Sequence, residues 1–262
     1  MMHTSFPIVA RSAMARRPVR LSLIASALAV TIVLCLGAAM SSADASAGGG
    51  NELQFEDTRM IIEFNSTDQD VGVQVFLDGE EWRLLRVFDP SNRKILEITG
   101  TRALRLQGLT ELFFESSEPS LDELSLDQFF ARFPEGTYDF EGVTIDGEPI
   151  EGEAIFTHAI PDGPVILTPQ EDSVQNPNHV VVDWQDVADP PGSEIVAYQV
   201  IVTQQLNVRP ERTFSVHVPA SVTSVTVPSE FLRHGANYEF EVLAIEAGGN
   251  QTITASTFST QP

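Results

Sequence analysis

Apolar and polar side chains alternate with period two along most of this chain beyond residue 50. In the last hundred residues Val180, Val182 and Trp184 share one side of a run, and Val196, Tyr198, Val200 and Val202 share one side of the next. Phe214, Val216 and Val218 follow, then Val225 and Val227, then Tyr238, Phe240, Val242 and Ala244, with Glu239 and Glu241 on the side expected to face water. Such alternation sends one face of each strand into a core and the other into solvent. Turn residues separate the runs at short, fairly even intervals, which predicts an antiparallel sandwich.

The first half carries the same signal. Met60, Ile62 and Phe64 alternate, as do Val71, Val73, Val75 and Leu77. Asp78-Gly79 then precedes Trp82, Leu84, Arg86 and Phe88, and this pair predicts a tight hairpin because it suits positive φ angles. Asp146-Gly147 predicts a second hairpin between residues 138–145 and 149–157. One segment has helical spacing instead. Ser125 and Gln128 are placed for a capping box, Leu124 and Phe129 for a hydrophobic staple, and Leu126, Phe129, Phe130 and Phe133 recur on one face until Pro134 and Gly136 stop the helix. The phenylalanine-rich face is expected to plug one end of a sandwich.

Two prolines and a glycine in Ile160-Pro161-Asp162-Gly163-Pro164 divide the chain into an amino-terminal β-rich sandwich domain, residues 51–160, and a carboxy-terminal sandwich, residues 161–262. The fold class expected is all-β: two β-sandwich domains, the first with a single short α-helix. Residues 1–47 read differently. Arg11, Arg16, Arg17 and Arg20 precede an apolar stretch over residues 21–40, and Ala45 and Ala47 form an A-x-A cleavage site. This is the layout of a secretory signal peptide, with an uncleaved membrane anchor as the rival reading. The expected location is secreted, periplasmic or cell-surface, with no membrane insertion after cleavage.

Cys35 is the only cysteine and lies in that signal, so disulfides do not hold the folded part together. Charge is lopsided. Residues 48–160 hold 24 acids and 8 bases, residues 161–262 hold 12 acids and 3 bases, and Lys94 is the only lysine. Such a surface is a poor partner for nucleic acid or anionic membranes.

The carboxy-terminal runs resemble a fibronectin type III domain, an immunoglobulin-like fold. Pro164 and Pro169, Trp184 in the second strand and Tyr198 in the third fall where that family places them. Residues 231–238 resemble its leucine and tyrosine-corner segment, and Gly248-Gly249-Asn250 its turn into the last strand. The resemblance implies that the Tyr238 hydroxyl bonds to backbone at the corner between sheets. It implies a fold and a habit of spacing or binding, and no chemistry. The chain has no Arg-Gly-Asp tripeptide, so integrin-type adhesion does not transfer.

Catalytic signals are sparse. His158, His179 and His234 are far apart, His217 alternates with Phe214, Val216 and Val218 and should point outward, and no Gly-x-Ser-x-Gly elbow occurs. Glu151 and Glu153 share a strand face, as solvated strand residues do. For metal, the candidates are Asp68 and Asp70 in the loop over residues 65–72, whose carboxylates and neighbouring carbonyls suit calcium, although Gly79 stands where an EF-hand needs glutamate. Asn65 and Asn250 fit the N-glycosylation triplet. The reading is a secreted non-catalytic interaction or structural protein whose partner is a protein or carbohydrate, with no cofactor unless calcium. The alternatives are an exported hydrolase with its active-site residues in the first domain and a calcium-stabilised surface module.

Overall fold

The computed structural model describes residues 53–206 and 212–262. The signal-peptide reading of residues 1–47, Cys35 and the lead-in at residues 48–50 lie outside the described residues. The first domain contains β1 (Leu53–Gln54), β2 (Asp57–Asn65), β3 (Asp70–Phe88), β4 (Lys94–Thr99), α1 (Ala103–Gln107), β5 (Leu109–Glu115), α2 (Leu126–Arg132), β6 (Gly136–Thr144) and β7 (Pro149–Phe156). Its core gathers the alternating residues of β2 and β3 with Trp82, Leu85, Val87, Tyr138, Phe140 and Phe156.

Asp78-Gly79 does not make a hairpin. β3 runs unbroken for 19 residues, and only its register shifts, between Asp78 and Trp82. The physical reason is Phe55. A Cβ on Gly79 would stand 2.8 Å from the Phe55 ring, so the glycine serves close packing across the strand and has no positive φ. One flank of β3 is lined by β2 and then β6, the other by β5 and then β4. The sheet then curls back: Phe55 N–H donates to Glu151 O at 2.7 Å, and Thr58 Oγ1 to Glu153 O at 2.7 Å, closing β7 onto the start of β2.

The Asp146-Gly147 turn joins β6 to β7 as expected. The expected helix is α2, with a complete capping box between Ser125 and Gln128. Phe129 is buried and lies 5.2 Å from Phe133, while Phe130 and Phe133 pack against the same core. The helix is not the single one, however: α1, five residues with none buried, follows β4.

The second domain contains β8 (Ile166–Thr168), β9 (Ser173–Gln175), β10 (Val180–Trp184), β11 (Ile195–Gln204), β12 (Arg212–Pro219), β13 (Ser224–Val227), β14 (Asn237–Glu246) and β15 (Gln251–Thr260). A three-stranded sheet, β13-β10-β8, faces the strands β12-β11-β14-β15 across a core of its own. Trp184 and Tyr198 meet at its centre, 5.3 Å between rings. The tyrosine corner forms: the Tyr238 hydroxyl accepts from Arg233 N–H at 2.7 Å.

The sheets of the two domains are continuous. β15 pairs in parallel with β2, Gln251 opposite Glu63 and Ile253 opposite Asn65, so one 12-stranded sheet passes through both domains. The proline-rich connection is packed down as well. Pro161 and Pro164 are buried, and Thr252 Oγ1 donates to Pro161 O at 2.6 Å. Among the described residues no helix is long and apolar enough to cross a membrane.

Candidate functional site

The densest polar chemistry of the described residues lies where the domains join. Asn250, in the turn between β14 and β15, is only 2% exposed. Its Oδ1 accepts from Ile62 N–H at 2.8 Å, and its Nδ2 donates to Thr157 O, Thr157 Oγ1 and Ala159 O at 3.0–3.2 Å. Glu246 shapes this turn by accepting from Gly248 N–H and Asn250 N–H at 2.7 and 2.8 Å, and from the Ser193 hydroxyl. Asn250 fits the glycosylation triplet in sequence, but its amide is buried and fully used by the neighbouring domain. A turn of the kind that carries ligand contacts at a sandwich end is here consumed by an internal junction.

Beside this turn sits a row of carboxyl groups. Glu63 on β2 is 7% exposed and accepts from Gln74 Nε2 at 2.8 Å and from Gln251 Nε2, reaching strands of both domains. Gln74 Nε2 also donates to Glu115 at 3.1 Å. Carboxylate oxygens of Glu63, Glu115 and Glu118 all lie within 4.8 Å of one another. Gly72, opposite Glu63, makes the room: a Cβ there would stand 2.8 Å from the Glu118 side chain.

Burial first, then the charges of Glu115, Glu118 and Glu241, push the Glu63 carboxyl up to about 8. Burial and Glu115 push Glu118 up to about 7. Glu241 differs from its expected solvent-facing setting. It is 4% exposed, and burial followed by Glu239 raises it to about 7. Alternation along β14 is intact; the pairing of β2 with β15 brings the first domain beside the face on which Glu241 stands.

Asp68 and Asp70 border this cluster without belonging to its set of three. In the loop between β2 and β3, Asn65 Oδ1 accepts from Thr67 N–H and Asp68 N–H at 2.9 and 3.1 Å, and Asn65 Nδ2 donates to Asp68 Oδ2 at 3.3 Å. The loop therefore satisfies itself as an Asx turn. Asp70 Oδ1 is buried without a partner, and burial, Asp68 and Glu115 raise this carboxyl. The sequence offered Asp68 and Asp70 because they are close in the chain. Glu63, Glu115 and Glu118 come together only through strand pairing, and nothing in their spacing announces it.

The histidines stay apart. His158 stacks on Phe130, ring centroids 4.0 Å apart, and its Nε2 meets Phe133 O at 2.8 Å, tying α2 to the end of β7. His234 Nδ1 lies 3.3 Å from Pro262 O, and His217 is exposed on β12. Glu151 and Glu153 do share an outer face of β7, where with Asp139 and Glu141 they line an open groove of about 270 Å³.

Among solved structures, the FN1–FN3 domains of chicken CNTN1 are similar at 11% identity over 80% of this chain and 66% of that one, with a TM-score of 0.31. The fn3 domain of the human collagen alpha-1(XX) chain is similar at 23% identity over 40% of this chain and 90% of that one, with a TM-score of 0.29. No curated protein matches the chain. Residues 168–260 match the family described as fibronectin type III domain. With two facing sheets around Trp184 and Tyr198 and the corner bond of Tyr238 in place, the carboxy-terminal part of this chain is a fibronectin type III domain.

Proposed function

We propose that this chain is an exported, non-catalytic interaction or structural protein in which a fibronectin type III module is locked to a second β domain. Modules of this family are generally interaction or structural units and typically extracellular. The observation that carries the reading is the junction. The β14–β15 turn, held by Asn250 and Glu246, ties the module to its neighbour, so the two domains share one continuous sheet. Such a sheet supplies binding faces and does not need an internal cleft. Two measurements test the proposal. Fusing residues 1–50 to a reporter without its own export signal should deliver it outside the cytoplasm, with the mature end near Gly48. Turnover of ester, glycoside or peptide substrates that disappears in His158→Ala or Glu151→Gln would instead establish the exported hydrolase.

A calcium-stabilised module is the second reading, favoured by the three carboxylates that converge within 4.8 Å at Glu63, Glu115 and Glu118, with Asp68 and Asp70 alongside. A hard cation prefers such oxygens. Melting the protein with calcium and with chelator decides it. An ion held at 100 times its Kd adds about 2.7 kcal/mol, and an unchanged melting temperature removes this reading.

A further inference from the structure

The turn that carries α1 stands apart from the rest of the first domain. All residues from Thr101 to Gln107 are exposed, including Leu104 at 53% and Leu106 at 82%. A five-residue helix has no stability of its own in water. Here its anchor is β3, where Gly100 N–H donates to Arg83 O at 2.9 Å and Leu109 pairs with Trp82. Arg102 enters the helix at φ +49°, a conformation unfavourable for a side chain with a Cβ. Neither Arg102 nor Arg105 makes an ion pair within the described residues. In a domain with three acids for every base, this turn presents two uncommitted cations with Leu106 on the same side.

The outer face of β6 and β7 has the opposite character. Strand pairing sets Glu141 directly against Glu151 and Asp139 directly against Glu153. Like charges facing each other across a ladder are unfavourable, and none of these four carboxylates makes an ion pair within the described residues. They line the open groove, and Ile155, 75% exposed, continues their row along β7.

We propose that the α1 turn of one copy of this protein docks on the β6–β7 face of a second copy. Arg102 and Arg105 then neutralise the opposed carboxylate pairs, and Leu106, on the same side of α1 as Arg105, covers Ile155. The occupant is a second copy because both complementary surfaces, each unbalanced alone, are present on one chain. The two patches differ, so the contact is heterologous: every molecule offers one projection and one receiving face. The inference stands independently of the export reading.

Sedimentation velocity tests it at about 200 µM protein and about 0.15 M salt, where a screening length near 8 Å damps long-range repulsion between acidic copies but spares close contacts. The wild type should associate as concentration rises. A projection variant, Arg105→Glu with Leu106→Ser, should be monomeric, as should a face variant, Glu151→Lys with Glu153→Lys. Their equimolar mixture retains one intact projection and one intact face, so it should form a 1:1 complex. Unchanged melting temperatures establish that both variants are folded; if either double variant melts early, Arg105→Glu or Glu153→Lys alone takes its place. A monomeric wild type, a folded variant that still associates alone, or folded variants that fail to pair on mixing would overturn the proposal.

Discussion

Asn250 shows how much of the junction rests on one side chain. Its amide accepts one bond and donates to three acceptors, all from the first domain. Truncation would orphan a buried backbone N–H at Ile62 and remove the links to Thr157 and Ala159. With net hydrogen bonds near 1 kcal/mol and a similar or larger penalty for an unpaired buried donor, Asn250→Ala should lower stability by about 3 kcal/mol. Chemical denaturation checks this, and a loss no greater than for an exposed asparagine such as Asn178 would contradict the clasp. The sequence showed Asn250 only as a turn residue and part of a glycosylation triplet. Its role lay hidden because every partner sits about 90 or more residues away.

Among the elements, the paired strands β2 and β15 carry a pH dependence. The Glu63 carboxyl lies near 8 in the folded protein against an ordinary value of 4.5, because burial and the charges of Glu115, Glu118 and Glu241 oppose its ionisation. A raised carboxyl means the folded state holds more protons than the unfolded one between these values. Stability is therefore full below about pH 4.5 and falls as pH rises toward 8, by an amount on the order of a few kcal/mol. Glu63→Gln keeps the acceptor for Gln74 and Gln251 and removes the charge. It should be more stable than the wild type at pH 8 and show a flatter profile from pH 5 to 8, with a residual slope from Glu118 and Glu241. Melting curves across that range provide the measurement, and identical slopes in the two proteins would refute the assignment. The strands themselves were legible, since alternation at Val180, Tyr198 and Phe240 survives into the structure. What alternation cannot say is what covers the polar side, so Glu241 read as solvated. Asp78-Gly79 misled for a related reason: the dipeptide is a turn signal only when nothing across the strand, such as Phe55, already requires the glycine.

At the scale of the whole molecule, the described residues form two cores, and one 12-stranded sheet runs through both. Separate cores ordinarily allow separate melting. Here the β2–β15 pairing, the Asn250 clasp and the buried connection at Pro161 couple them. Calorimetry should show one cooperative transition, with calorimetric and van't Hoff enthalpies in agreement. Two resolved transitions would mean that the junction contributes little. Asn250→Ala, by weakening the coupling, is the variant expected to separate them. The sequence marked a break at residues 160–164 through its prolines and glycine. Those residues end regular structure in both readings; whether a connection swings or packs depends on the surfaces it meets, here Ser66, Thr252 and Thr254.

The parallel run of β2 beside β15 has a mechanical corollary. Tension drawn between residue 53 and residue 262 pulls these neighbours lengthwise past each other, so the bonds at residues 63–65 and 251–253 share the load at once. An antiparallel hairpin tugged from its open end unzips bond by bond. This seam is loaded in shear, so its bonds resist together and give way together.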